Sequence, residues 1–179
     1  MTTDIIDRLA GIEPGSATDA LRQRRGQARD NAQASYEALF LAPDATGVTP
    51  TERLAVATFV AAVHGVEGVH EHYRALLART AGDELAAVVE SVAGQAAGEG
   101  PYGRFPATAD LREEDAPGPV FAVDAAGAGL LGERLAAALD HAHLLVFRPR
   151  EASRDALADL ADAGWGPSEI ITLSQLVAF

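Results

Sequence analysis

Between Thr49 and Leu77 the chain reads T-P-T-E-R-L-A-V-A-T-F-V-A-A-V-H-G-V-E-G-V-H-E-H-Y-R-A-L-L, which sets His64, His70, His72 and Glu52, Glu67, Glu71 among apolar residues. Carboxylates and imidazoles in an apolar setting are the usual parts of proton transfer, because burial shifts both toward neutral pH. Their directions decide whether they can work together. At about 100° per residue, Val56, Phe59, Val60 and Val63 form one helical stripe, and Glu52 falls on it. A carboxylate on a face that must be buried is either hydrogen-bonded or has its pKa raised. Glu52 therefore has two open readings: a capping-box residue reaching back to the Thr49 N–H, or a chemically poised acid.

In the following helix the apolar stripe is Val69, Tyr73, Leu76 and Leu77. His70 and His72 flank it on opposite sides, and Glu71 points away. His72 lies one turn from Val69 and Leu76 and so borders the core, as a structural residue or as a proton-transfer partner of Glu52. The candidate catalytic set is Glu52, His64, His72 and Tyr73. A metal site is a weaker idea: His64, His70 and His72 with Glu52 or Glu67 offer nitrogen and oxygen ligands, but the spacing matches no ligand motif. His70 and His72 also diverge by about 200° on a helix. No metal and no cofactor is expected. His141 and His143 sit two residues apart in a second apolar stretch, so they face different ways; at least one is expected to be a satisfied core or interface histidine. No Ser-His-Asp pattern, phosphate loop or dinucleotide fingerprint occurs, and G127-A-G-L-L-G lacks a preceding strand.

The elements that position these residues are helical throughout. No segment alternates apolar and polar residues between hairpin turns, so the fold class is all-α. Helices are expected at Thr3 to Ala10, from about Ser16 to Leu41 with Gly26 as a weak point, from Pro50 to about Val63, from Glu67 onward, and from about Asp83 to Ala97. Residues 98 to 127 are rich in Pro and Gly, and a loop of that length in a compact domain is usually functional or wraps the surface; near Tyr102 and Arg104 it is placed to cover the candidate site. Helices resume from about Ala128 to Phe147, Ser153 to Ala163, and Pro167 to the end. Ser153 is suited to an N-cap and Gly164 to a helix C-terminus. The stretches T49-P-T-E-R-L and G166-P-S-E-I-I echo each other, each with Pro in the first turn and Glu two residues later. The last helical pattern has no stop signal, so the helix is either short and docked or the natural chain continues past Phe179.

With 179 residues and 48% hydrophobic content the chain can bury a full core, and one domain over 1-179 is the expectation. All 14 basic residues are Arg, and the net charge of −12 argues against nucleic acid and anionic membranes as partners. The one basic cluster, Arg22, Arg24, Arg25 and Arg29, is diluted by Asp19 and Asp30 and reads as a solvated helix face. The chain has no Cys, which removes disulfides, thiolate metal sites and thiol nucleophiles. An acidic start without a long apolar run gives the expectation of a soluble, cytoplasmic protein. Ala-rich faces such as A55-V-A-T-F-V-A-A and A136-A-A-L favour close helix packing between subunits.

Ser35 to Leu77, with S35-Y-E-A-L-F, T49-P-T-E-R-L-A-V-A-T-F-V-A-A-V-H-G and H72-Y-R-A-L-L, resembles the carboxymuconolactone decarboxylase family, which includes the AhpD-like alkylhydroperoxidases. The C-terminal L157-A-D-L-A-D-A-G-W-G-P-S-E-I-I-T-L-S-Q-L-V-A-F is similar to the ending of its peroxidase-related branch. The resemblance implies an AhpD-like bundle of about seven to eight helices assembled as a trimer or hexamer. It also implies a thiol peroxidase site whose acid falls on Glu52, whose two cysteines fall on His64 and Glu67, and whose relay histidine falls on Glu71. Hydroperoxide reduction there needs one thiolate to attack the O–O bond and a second thiol to resolve the sulfenic acid, and neither is present. Two readings stay open for this cysteine-less member. It is a thiol-independent proton-transfer enzyme on a small organic acid or lactone, or a non-catalytic module that binds a small-molecule ligand or assembles with partners such as a Cys-containing paralogue.

Overall fold

The computed structural model describes residues 4–41, 47–103 and 115–179, and among them every regular element is helical. They gather into two compact units, Met1–Ala45 and Thr46–Phe179, where the sequence reading expects one domain over 1-179. The division falls in the Pro- and Gly-containing stretch 42–48.

The first unit holds α1 (Ile5–Leu9), α2 (Ala17–Gln23) and α3 (Gly26–Tyr36), the last running into a π turn at Glu37–Leu41. Asp4 and Ser16 cap α1 and α2 by accepting the Asp7 and Asp19 N–H groups. The helix expected as continuous from Ser16 to Leu41 breaks at Arg25, whose φ of −117° and ψ of 49° are not helical. Gly26 follows, and a glycine inside a helix costs about 1 kcal/mol relative to alanine. The basic cluster is not simply a solvated face. Arg22 and Arg29 turn onto Asp4, Asp7 and Asp19, with Arg22 Nη2 at 2.9 Å from Asp4 Oδ1, while Arg24 and Arg25 stay exposed. Arg22 Nε and Asp7 Oδ1 lie 2.6 Å apart, close enough to pair as ions but off line for a hydrogen bond. The Asp19 carboxyl is held below its ordinary range by the Gly15 N–H and then by Gln23.

The second unit is built around α4 (Pro50–Val63), which packs on α5 (Glu67–Ala81), α6 (Asp83–Ala96), α8 (Glu133–Phe147) and α10 (Pro167–Ala178). It also contains α7 (Ala125–Leu131), a short 3-10 turn at Pro149–Glu151, and α9 (Arg154–Asp162). Arg53 through Phe59 are all buried, so α4 is covered on every side rather than along the single stripe that periodicity suggests. Small Ala side chains make that possible by letting neighbours approach closely. Its polar groups are satisfied locally: the Thr58 hydroxyl donates to the Leu54 carbonyl at 2.7 Å, and Arg53 Nε to the Val48 carbonyl at 3.0 Å.

Ten α-helices lie among the described residues against an expected seven to eight. One extra comes from the break at Arg25. Another comes at Gly132, where a φ of +81° splits the stretch expected as one helix into α7 and α8, and α7 begins at Ala125 rather than Ala128. The long loop appears as two non-helical pieces, 97–103 and 115–124; Arg104 lies outside the described residues. No helix among those residues is long and apolar enough to cross a membrane.

Candidate functional site

Glu52 sits at the third position of α4 in a capping box: Glu52 N–H donates to Thr49 Oγ1 at 3.2 Å, and Glu52 Oε2 accepts from the Thr49 N–H at 2.7 Å. The Thr49 hydroxyl adds a second bond to the same oxygen at 2.9 Å. The other oxygen, Oε1, accepts from Arg134 Nε at 2.7 Å. Every hydrogen bond of this carboxylate is thus to Thr49 or Arg134, and none is to a histidine.

Arg134 is the residue the sequence reading missed. From the start of α8 its guanidinium also donates to Glu169 Oε2 at 3.1 Å, to the Gly47 carbonyl at 3.2 Å and to the Gly164 carbonyl. It lies over the Trp165 ring at 4.2 Å, and Trp165 Nε1 donates back to the Arg134 carbonyl at 2.8 Å. Glu169 caps α10 by accepting the Gly166 N–H at 2.7 Å. The echo between T49-P-T-E and G166-P-S-E therefore has a spatial meaning: the two capping glutamates face one arginine. Burial pulls the Arg134 pKa down, but hydrogen bonds to Glu52 and Glu169 more than offset it and hold the group above its ordinary value. Glu169 is held below the usual carboxylate range by the Gly166 N–H and then by Arg134. Gly47 fits because it has no side chain: a Cβ there would meet Glu169 Oε1 at 2.0 Å, at a φ of +80°.

His64 lies at the other end of α4, about 18 Å from Glu52 along the axis at 1.5 Å per residue. It is exposed, and its Nδ1 is 2.8 Å from the Val60 carbonyl. A carbonyl can only accept, so Nδ1 carries a proton, and in the neutral ring Nε2 is the acceptor. Beside the ring opens a cleft of about 320 Å³ lined by Val63, Val146, Phe147 and the segment Gly98 to Pro101. That segment is tied down where Tyr102 N–H donates to the Phe147 carbonyl at 2.8 Å. A Cβ on Gly100 would come within 2.9 Å of Phe147 Cδ1, so glycine permits the close passage.

The other predicted residues are dispersed. His72 is half-buried and meets buried Tyr73 edge-on, ring centroids 5.1 Å apart. His70 Nε2 lies 3.6 Å from Glu90 Oε1, whose other oxygen pairs with Arg74 at 2.9 Å. Glu71 is exposed, as its outward direction requires. Among the described residues no three His, Asp or Glu side chains gather as metal ligands would. His141 and His143 are both buried, at 5% and 1% exposure. His141 Nδ1 and both nitrogens of His143 lack partners. Burial pushes both rings below their ordinary pKa; at His143 the Ala96 backbone opposes this without reaching hydrogen-bond geometry. The His143 ring is held instead between Phe121 and Phe147, at 5.2 and 4.6 Å.

Compared with known proteins, the chain matches no family model, no curated protein and no solved structure.

Proposed function

We propose that this chain is a carboxymuconolactone decarboxylase/AhpD-like domain protein without the redox cysteines, working as a binding module for a small neutral organic ligand at the cleft beside His64. The observation that carries this reading is the pairing of that cleft with a fixed tautomer. Val63, Val146 and Phe147 offer an apolar wall, and His64, whose Nε2 is the acceptor of the neutral ring, lines its edge. The cleft lies at the C-terminal end of α4, where the helix dipole is negative, and Glu99 also lines it. An anionic ligand meets two unfavourable charges there, whereas a neutral hydroxyl donor finds its acceptor. A phenol or a compact alcohol suits the cleft better than an organic acid.

Glu52 supports the same reading from the other side. Its carboxylate is engaged by Thr49 and Arg134, about 18 Å along α4 from His64, so the acid and the imidazole have separate tasks. The proton-transfer reading keeps one foothold, His64 Nε2 acting alone as a base on a bound hydroxyl. Assembly into a trimer or hexamer belongs to the same proposal and is supported by the exposed Leu130, Ile171 and Phe179; light scattering that finds a strict monomer would count against it. Titration calorimetry with phenol tests the binding claim. Saturable one-to-one heat that disappears in Val146→Trp and weakens several-fold in His64→Ala is the expected result, and equal binding by both variants and the wild type would overturn it.

A further inference from the structure

Asp140, His143 and Phe147 follow one another at spacings of three and four and so fall on one face of α8. Each of them fastens a non-helical segment to the helix. Asp140 Oδ1 accepts the Val123 N–H at 2.7 Å. The His143 ring packs against Phe121 at 5.2 Å and against Phe147 at 4.6 Å. The Phe147 carbonyl accepts the Tyr102 N–H at 2.8 Å. Residues 97–103 and 115–124 thus cross the same stretch of α8, and they run close together, since a Cβ on Gly98 would lie 3.2 Å from Pro119 Cγ. Gly118 passes so near Arg148 that a Cβ would come within 2.5 Å of its Cγ.

The middle fastening differs from the outer two. His143 is 1% exposed, and neither ring nitrogen has a partner in hydrogen-bond geometry. It holds Phe121 by packing alone, which suits a neutral ring and not a charged one. A protonated imidazole carries two N–H donors. The end of α6 presents the Ala96 backbone, off line for a hydrogen bond, and α8 presents Arg148, a second cation. Even with the Ala96 carbonyl taking one donor, the other is unmet. Carboxylates on the surrounding elements are engaged or at the surface: Asp140 takes the Val123 N–H, Asp124 caps α7, Glu90 of α6 pairs with Arg74, and Glu99, Asp115, Asp155 and Asp159 are exposed. Arg134 holds Glu52 of α4 and Glu169 of α10, the Val48 carbonyl holds Arg53, and His64 is exposed. His141 is turned about 200° around α8 from His143. The faces of Phe121 and Phe147 attract a cation, but that attraction leaves an N–H buried without an acceptor.

We propose that His143 is an acid-operated latch: neutral, it pins residues 97–103 and 115–124 to α8, and protonated, it leaves its place between Phe121 and Phe147 and lets both segments lift. The lifted form carries a solvated imidazole, which takes a proton below about pH 6.5. The closed form takes it less readily, because burial and then Arg148 outweigh the Ala96 backbone. Falling pH therefore favours the lifted form by up to about tenfold per pH unit below about 6.5 and has no effect above it. Opening of this kind is local, confined to segments without helical hydrogen bonds of their own. Gly98 to Pro101 line the cleft beside His64, so lifting takes away one of its walls. The effect on a bound ligand rests on the function proposed above; the latch itself does not.

Native-state hydrogen exchange between pH 7.5 and pH 5 reads the latch at the Tyr102 and Val123 amides, without any ligand. Their protection factors are expected to be flat above about pH 6.5 and to fall by up to about tenfold per pH unit below it, while the Phe59 amide of α4 keeps its protection. His143→Phe fills the same space without a titrating group and is expected to make both amides indifferent to pH. His141→Gln is expected to leave the fall intact, as is Asp140→Asn at Tyr102. The His143 ring resonances of the wild type give the same answer without a variant, the protonated form appearing in step with the loss of protection. The latch is overturned if Tyr102 and Val123 are equally protected across the range, if the fall survives in His143→Phe, if Phe59 falls in parallel, or if the ring protonates while both amides stay protected. Failure of phenol binding would leave each of these readings unchanged, so the two proposals are told apart.

Discussion

Replacing Arg134 with Met removes one side chain and breaks four contacts that join α4, α8, α10 and the residues before α4. Methionine keeps much of the stem volume, so what is lost is the guanidinium. Exposed ion pairs contribute about 0–1 kcal/mol, while removing one partner of a buried pair costs about 3–5 kcal/mol. Arg134 is 29% exposed, and Glu52 and Glu169 are 13% and 19% exposed, which places this cluster between the two cases. The variant also leaves two carboxylates facing each other and loses the stacking on Trp165, worth about 0.5–1 kcal/mol. The expected loss is about 2–4 kcal/mol, or roughly 7–14 °C in melting temperature for a unit of this size. Thermal unfolding followed by circular dichroism measures it, and a cycle with Glu52→Gln isolates the pair. The double variant should be less destabilised than the sum of the two singles, because the second change removes a carboxylate left unpaired. The effect should also fade in acid. The folded pKa of Glu169 is depressed, so its contribution is full above its ordinary pKa and is lost as the pH falls through the lowered one. A melting shift under about 2 °C, or strict additivity in the cycle, would refute the account of Arg134.

Gly47→Ala should destabilise the second unit by more than about 1 kcal/mol, since it combines a positive φ with a clash against Glu169; a melting curve superimposable on the wild type would contradict this. His141 and His143 have folded pKa values below the ordinary value, so stability is full above about pH 6.5 and falls as the pH drops below it, by up to about 1.4 kcal/mol per pH unit for each ring. Urea titrations between pH 7 and pH 5 should show that slope, reduced in His143→Phe. A hydroperoxide with a dithiol reductant should be consumed no faster than without protein, because the chain has no thiolate to attack the O–O bond; faster consumption, retained on repurification, would contradict the thiol-free reading.

Much of the helical framework was legible because it depends on neighbours in sequence. Pro50 in the first turn, Thr49 as cap and Gly65 after the end delimit α4 at the bounds the pattern predicts. Glu52 illustrates what was half legible. The wheel places it facing inward, and its side chain is indeed largely buried, but the partner that explains this is Arg134, 82 residues away. Nothing local announces such a pair; the one usable signal was the repeated Pro-x-Glu start, which implies two caps and so two carboxylates in need of a cation. The cleft at His64 was hidden for the same reason, since Gly98 to Pro101 and Phe147 reach it only through the packing of α4 against α8. His141 and His143 were legible as core histidines, and both are buried; the rings of Phe121 and Phe147 around His143 depend on packing that spacing does not show.

The central claim is that His64 offers Nε2 to a neutral hydroxyl ligand in the cleft, and ¹⁵N chemical shifts of the His64 ring test it most directly. With phenol added, Nε2 should move in the direction of an accepted hydrogen bond while Nδ1 keeps its protonated shift, and benzoate should leave both unchanged. Ring nitrogens that ignore phenol at concentrations that saturate the calorimetric signal, or that respond to benzoate more than to phenol, would contradict the claim.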